Sequence, residues 1–160
     1  MACGLSALEL DSEAPTLCCV KVSYFHLPPG GPLEWATPAS PFKCIILIES
    51  TVALPWQAEL SDFLIASGCR YAMAWGRDCS LWDDSIDYAS LLRHDFKEVS
   101  EVEHVMTTWH DDESMDEVFQ FSAFDARHPV LELTETLIVD ITDIERRDEI
   151  LSRYRKALET

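Results

Sequence analysis

The stretch that decides the fold opens with Phe42-Lys-Cys-Ile-Ile-Leu-Ile-Glu49. This continuous apolar run is rich in β-branched residues, which is typical of a strand buried on both faces of a parallel sheet. A helical pattern follows, in which Pro55 suits the first turn and Gly68 the position just past the last one. A second apolar strand, Cys69 to Trp75, is stopped by Gly76. Strand, helix, glycine and strand within about 35 residues predict a right-handed βαβ crossover.

The same alternation continues on both sides of this unit. Further strands are predicted at Leu17 to Phe25, His104 to Trp109 and Thr136 to Ile141. Further helices are predicted to begin after Asp84, after the capping box Ser114-Met-Asp-Glu117 and after the capping box Thr142-Asp-Ile-Glu145, with Arg77 to Asp84 as a long acidic loop. The pattern predicts an α/β fold, a three-layer sandwich whose mostly parallel sheet of about four or five strands has helices on both faces. The direction of the first strand stays open.

The chain of 160 residues is expected to form a single α/β domain spanning residues 1–160. Residues 1–14 are predicted to be a loosely held arm, and residues 26–41 a proline-rich loop. Trp35 either pins this loop to the body, which is the favoured interpretation, or is offered to a partner. None of the six cysteines forms a C-x-x-C pair, so reduced structural thiols are expected. No apolar run approaches the ~20 residues that span a bilayer. The first residues also lack the pattern of a signal peptide, so a cytoplasmic location is expected.

The charge of the chain is strongly and unevenly negative. The formal net charge is −17, and the segment from Asp78 to Glu117 alone holds thirteen acids and two bases, a local balance of −11. A field of that sign repels nucleic acid and anionic membranes and attracts basic proteins or cations. Solubility alone is a second interpretation of the acidity. A concentrated block favours a basic partner over that interpretation.

We therefore expect a surface that binds a basic protein, with no direct binding of nucleic acid and no membrane contact. The residues expected to form it are the acidic and aromatic side chains of the predicted loop and of the turn after the third core strand: Asp78, Trp82, Asp83, Asp84, Trp109, His110, Asp111, Asp112 and Glu113. Aromatic rings beside acids suit lysine and arginine anchors. A competing interpretation gives the acids of the turn to helix electrostatics, because acids near a first turn complement the macrodipole, and gives the tryptophans to the core.

A different function class uses the carboxyl ends of the strands as a rim. Glu49, Asp140 and the acidic turn would gather there, and carboxylates can hold Mg²⁺ or Mn²⁺ while His110 serves as a base. This alternative is a divalent-metal-dependent hydrolase, or a binder of small ligands or nucleotides. The sequence has no glycine-rich phosphate loop, G-x-S-x-G, H-E-x-x-H or G-K-[ST] motif. It therefore assigns no catalytic residue and no cofactor, leaves metal binding open and favours a non-enzymatic role without deciding it.

Two runs, Met106-Thr-Thr-Trp-His-Asp-Asp-Glu-Ser114 and Phe42-Lys-Cys-Ile-Ile-Leu-Ile-Glu49, resemble an uncharacterised bacterial family of small acidic α/β domains with a T-T-W-H-D-D-E-S strand-to-helix turn. The resemblance covers roughly Phe42 to Thr142. It implies the α/β fold and a bacterial cytoplasmic setting, and it brings no established activity or catalytic residues. The charge block and the lack of a complete catalytic set lead us to expect an interaction module that binds, and in an inhibitory form neutralises, a basic partner, as immunity proteins, antitoxins and inhibitors do.

Overall fold

A computed structural model describes residues 21–159 as one parallel sheet with helices on both of its faces. In chain order the elements are β1 (Lys21–Leu27), β2 (Phe42–Ile48), α1 (Leu54–Ala66), β3 (Cys69–Gly76), α2 (Cys79–Arg93), β4 (Met106–His110), α3 (Met115–Phe124), β5 (Glu135–Ile141) and α4 (Arg147–Leu158). The α/β sandwich predicted from the sequence is confirmed. The predicted arm of residues 1–14 and the part of the first predicted strand before Lys21 lie outside the described residues.

The strands are ordered β1-β5-β2-β3-β4, and every neighbouring pair is parallel. The chain steps outward from β2 through β3 to β4, and then returns so that β5 inserts between β1 and β2. The first strand, whose direction the sequence leaves open, runs parallel to β5 with Lys21 opposite Glu135. The central strand β2 has six of its seven residues buried, as its continuous apolar sequence predicts.

Two apolar cores lie on opposite faces of the sheet. Leu60 and Leu64 of α1 and Ile86 of α2 pack on one face. Phe119 of α3 and Tyr154 of α4 pack on the other, with their rings 5.3 Å apart. The helices after β2 and β3 therefore cover one face, and those after β4 and β5 cover the other.

Two glycines permit the βαβ unit to close tightly. Gly68 follows the last turn of α1 at φ 109° and its N–H donates to Ile65 O at 3.1 Å, which confirms its predicted place after the helix. Gly76 ends β3 at φ 105°, and a Cβ there would lie 2.3 Å from Ile48 O. Only glycine allows that approach, and it brings the Arg77 N–H to Ile48 O at 2.9 Å.

The prediction of a long acidic loop from Arg77 to Asp84 is wrong. Helix α2 begins at Cys79, directly after Asp78 in the left-handed region at φ 54°. The buried residues of α2 recur at helical spacing from its first residue: Cys79, Trp82, Asp83, Ile86 and Ala89. That period starts before Asp84, so Asp84 is an exposed interior position and not an N-cap.

The prediction for the last helix needs a second correction. The capping box at Ser114 is present in full, but Thr142-Asp-Ile-Glu145 does not open a helix, and α4 begins at Arg147. Tertiary contacts hold the chain out of helical conformation: His26 Nε2 donates to Thr142 O at 2.7 Å, and the Arg146 N–H donates to the Tyr24 hydroxyl at 3.2 Å.

The proline-rich loop begins after Leu27, since His26 and Leu27 still belong to β1. Trp35 pins it as predicted, because its ring stacks on Phe25 with centroids 4.3 Å apart and also contacts Phe63 of α1 at 4.5 Å. The three cysteines within the described residues, Cys44, Cys69 and Cys79, are free and buried. This confirms the prediction of reduced structural thiols for those three.

Candidate functional site

The turn after β4 lies against the start of α2. Because β3 and β4 are neighbouring parallel strands, their carboxyl ends meet at one edge of the sheet. Asp78 before α2 and residues 111–113 after β4 are all exposed there. Burial raises the pKa of the Cys79 thiol, the His110 backbone opposes that rise and the negative charge of Asp111 adds to it. Both residues therefore lie close to the first turn of α2.

Helix α2 presents more carboxylates beside β4. The Thr107 hydroxyl of β4 donates to Asp87 Oδ1 at 2.8 Å. Asp83 lies one turn earlier on α2 and is only 6% exposed. Its Oδ1 atom has no hydrogen-bond partner among the described residues. Burial raises the pKa of the Asp83 carboxyl, the charges of Asp87 and Asp84 add to the rise, and the nearby Thr107 hydroxyl offsets part of it.

Trp109 stands at the outer limit of the same surface and is 51% exposed. It pairs with Ala74, which belongs to the core under α1 and α2. Since residues paired across strands share a face of the sheet, the indole lies on the side of α2. We call this surface the acidic edge and define it as Asp78, Asp84, Asp87, Trp109, Asp111, Asp112 and Glu113, all of them exposed.

Three of the residues expected at the partner surface lie instead in the interior. Trp82 is 2% exposed and meets Trp56 edge to face at 6.4 Å, and Asp83 is buried beside it on α2. His110 is 4% exposed. These side chains support the surface from below, while the other predicted residues are exposed on it.

His110 holds the acidic turn in place. Its Nδ1 lies 2.9 Å from Glu113 Oε2, and its Nε2 lies 2.9 Å from Thr108 Oγ1. Because a carboxylate only accepts, Nδ1 carries the hydrogen. The imidazole also meets the Phe121 ring at 4.9 Å, and the Trp75 indole N–H donates to Glu113 O at 2.8 Å. This role is structural, so the imidazole is not placed to act as a solvent-exposed base.

A polar network centred on Arg146 lies elsewhere, between β5 and β2. Arg146 Nε and Nη2 donate to the two carboxylate oxygens of Asp140 at 2.8 and 2.9 Å, and Nη2 also donates to Glu49 Oε1 at 3.0 Å. The Tyr24 hydroxyl donates to Asp140 Oδ2 at 2.7 Å. Burial raises the pKa of that hydroxyl, and the hydrogen bonds that Arg146 donates to Asp140 raise the pKa of Arg146. The Arg147 guanidinium lies over the Tyr24 ring at 5.4 Å.

This network spans the topological switch point of the sheet. The helix after β2 and the helix after β5 lie on opposite faces, which opens a crevice outside the carboxyl ends of these two strands. Arg146 crosses it from the β5 side to Glu49 on the β2 side. The sequence shows both carboxylates on the rim but gives no local signal for Arg146, which lies 97 positions from Glu49.

The rim carboxylates are engaged by Arg146 and Tyr24 and do not converge on one another. Among residues 21–159 no group of three or more histidine, cysteine, aspartate or glutamate side chains is arranged to hold a metal ion. The acids of the turn after β4 lie at the far edge of the sheet, and two strands, β2 and β3, separate β4 from β5. The structure thus divides the predicted rim into the acidic edge and the switch-point network.

Comparison with known families identifies the chain. The model of the family described as "Domain of unknown function (DUF7684)" matches residues 22–157. The chain belongs to this family. No curated protein matches the sequence.

The DUF7684 match covers every strand and helix except the ends of β1 and α4. Both the acidic edge and the switch-point network fall inside it. The resemblance to an uncharacterised family is thereby confirmed. Within the described part of the chain, no helix combines the length and apolar character needed to cross a membrane.

Proposed function

We propose that this DUF7684 domain is a non-enzymatic interaction module that binds a basic protein through the acidic edge. The observation that carries the proposal is the joining of two acidic strand ends and the exposed side of α2 into one surface around Trp109. Inhibition or neutralisation of the partner, as by an immunity protein or antitoxin, is part of this proposal. So is a bacterial cytoplasmic setting, which the buried free thiols of the core support.

The charges around the acidic edge support a partner of positive sign. Arg77, the nearest cation in sequence to Asp78, donates to Thr51 Oγ1 at 3.4 Å and so lies toward β2. Arg93 at the far end of α2 pairs with Asp62 of α1 at 3.2 Å. The acids of the edge therefore repel one another with little internal compensation, and a basic partner relieves that repulsion on binding.

The test compares two charge reversals of equal size. One variant carries Asp84→Lys, Asp111→Lys and Asp112→Lys on the acidic edge. The matched control carries Glu34→Lys, Glu59→Lys and Asp143→Lys, three exposed positions outside it. Proteins captured from a bacterial extract by the wild-type domain are purified, and their affinities for all three forms are measured at low and physiological salt.

We expect a captured basic partner whose affinity falls roughly tenfold or more with the acidic-edge variant. The control variant should lose much less, and wild-type binding should weaken as salt screens the charges. Both variants should keep the circular dichroism spectrum of the folded domain. Equal losses in the two variants, or capture of no basic protein, would contradict the proposal.

A second candidate function rests on the switch-point network. An arginine that spans the crevice between β5 and β2 is placed to bind an anionic small ligand if Glu49, whose side chain is 38% exposed, moves aside. Its test is a thermal shift with nucleotides and with Mg²⁺ or Mn²⁺, because a ligand that binds only the native state raises stability. A shift that disappears in Arg146→Lys supports this candidate, and no shift with any of these ligands ends it.

A further inference from the structure

Strand β4 is an open edge of the sheet. It pairs with β3 only, and no other strand among residues 21–159 lies on its outer side. Four of its five residues are half-buried or exposed, in contrast to the central strand. Natural edge strands are commonly protected by lysine, proline, bulges or inward charges. The sequence Met-Thr-Thr-Trp-His contains none of these, and its ladder with β3 has no bulge.

The hydrogen-bonding direction of each β4 residue follows from one bond at the end of the ladder. Ile48 O accepts the Arg77 N–H, so the backbone of Ile48 faces β3. Ile48 is paired with Gly76, and in a parallel ladder it bonds the two residues that flank Gly76, so Trp75 faces β2. Backbone direction alternates along a strand. Ala74 of β3 must then face β4.

The outward groups of β4 are fixed by the same alternation. In a parallel ladder only one residue of each opposed pair directs its N–H and C=O toward the other strand. Ala74 faces β4 and lies opposite Trp109, and Ala72 lies opposite Thr107. Thr107 and Trp109 therefore direct their backbone N–H and C=O groups away from β3, to the open side of the sheet.

The same two residues place the acids of α2 beside this open side. Their side chains lie on the α2 face, where the Thr107 hydroxyl meets Asp87. A strand added outside β4 would present every second side chain to that face. A lysine or arginine at those positions would reach the carboxylates of α2, including the cluster in which the buried Asp83 leaves Oδ1 unpartnered among the described residues. Trp109 offers an exposed ring for a cation in the same row.

We infer that the open edge of β4 takes an extended segment of the basic partner as a sixth strand, with alternate lysine or arginine side chains facing α2. This inference rests on the proposed function and names its binding mode. Main-chain bonds to Thr107 and Trp109 supply affinity that does not depend on sequence, and the alternate basic positions supply selectivity for charge. An acidic surface without strand pairing would bind lysines equally well whether they alternate along the segment or are grouped together.

The experiment uses two peptides of identical composition. One alternates lysine and valine over eight residues, and the other groups four lysines before four valines. Binding to the ¹⁵N-labelled domain is followed by chemical shift and by amide hydrogen exchange. We expect the alternating peptide to bind more tightly, by roughly tenfold, and to slow exchange of the Thr107 and Trp109 amides, because it alone can present all its lysines to one face.

A pair of variants isolates the main-chain bond. Thr107→Pro removes an N–H that faces away from β3, a position where proline is tolerated in an edge strand. Thr107→Val keeps that N–H and removes the same hydroxyl. The proline variant should weaken binding of the alternating peptide by roughly tenfold, and the valine variant by about twofold or less. If Thr107→Pro does not fold, slower hydrogen exchange of the Trp109 amide in the wild-type domain on peptide binding tests the same main-chain pairing.

The outcomes separate this inference from the proposed function. Equal affinities for the two peptides with no protection of Thr107 or Trp109 would overturn edge pairing, while charge reversal at the acidic edge would still report on the function itself. Failure of both peptides to bind at low salt would also overturn edge pairing. Binding that ignores Asp84→Lys, Asp111→Lys and Asp112→Lys would overturn the proposed function.

Discussion

Arg146 binds both carboxylate oxygens of Asp140, through Nε to Oδ2 at 2.8 Å and through Nη2 to Oδ1 at 2.9 Å. Asp140 is completely buried. The Arg146 guanidinium compensates its charge, and the Tyr24 hydroxyl donates a further hydrogen bond to it. The fork also ties the loop before α4 to Glu49 at the end of β2. One arginine thereby joins the two halves of the sheet at the point where its topology reverses.

Removing the buried carboxylate should be costly. We expect Asp140→Asn to lower the free energy of unfolding by about 3 kcal/mol, because the Arg146 guanidinium loses its compensating charge in a largely buried place. Glu49→Gln is the matched control on the same guanidinium, and its half-exposed pair should contribute less than about 1 kcal/mol. Urea unfolding of both variants measures the difference. Equal losses would show that the bidentate pair is no stronger than a surface ion pair.

Ser114 and Asp84 both look like N-caps in the sequence, but their replacement should affect stability differently. Ser114→Ala should lower the free energy of unfolding by about 1 kcal/mol, because the Ser114 hydroxyl accepts from the Glu117 N–H. Asp84→Ala should change it by no more than about 0.5 kcal/mol, because Asp84 lies exposed within α2. Thermal and urea unfolding of the two variants give the comparison. A large loss at Asp84 would place the start of α2 where the sequence predicts it.

The sequence predicts the sheet well because burial on both faces of a parallel strand imposes a continuous apolar run. Phe42–Ile48 and Cys69–Gly76 carry that pattern, and both are strands, the second ending at the predicted glycine, Gly76. The position of β5 between β1 and β2 has no such local signal. Its place depends on packing between segments more than a hundred positions apart, as in the contact of Tyr24 with Asp140.

The candidate site is likewise predictable from the sequence only where its features are local. Exposed acids after β4 follow from strand ends and charge, and the capping box at Ser114 is local. The burial of Asp83 and Trp82 was not predicted, because the acidic run around them hides a helical period that begins at Cys79. The partners of Arg146 come from β2 and β5, so they are known only once the sheet is assembled.

The buried Asp83 should make stability depend on pH. Burial, with Asp87 and Asp84, raises its pKa in the folded state above the ordinary value. As pH rises from the ordinary value through the raised one, the unfolded chain releases this proton more readily, so this group makes the folded state progressively less stable. Asp83→Asn removes that loss. Its stability relative to wild type should therefore increase from about pH 3 to pH 7.

Urea unfolding across that range measures the difference. Asp84→Asn is the control, because it removes the same formal charge from an exposed position of the same helix. A stability difference between Asp83→Asn and wild type that stays constant with pH would contradict the raised pKa. If the stability of Asp83→Asn relative to wild type decreased toward neutral pH, the pKa of Asp83 would be lowered in the folded state and not raised.

The two tryptophans of the predicted partner surface should separate stability from binding. Trp82 is 2% exposed and packs against Trp56, so Trp82→Ala should lower the free energy of unfolding by about 3 to 5 kcal/mol. Trp109 is half exposed on the open edge, so Trp109→Ala should cost no more than about 1 kcal/mol and should weaken binding of the alternating lysine–valine peptide. Urea unfolding and peptide titration of both variants test this. If Trp109→Ala unfolds the domain as Trp82→Ala does, the ring belongs to the core. If Trp109→Ala leaves peptide affinity unchanged in a folded domain, Trp109 takes no part in binding the partner.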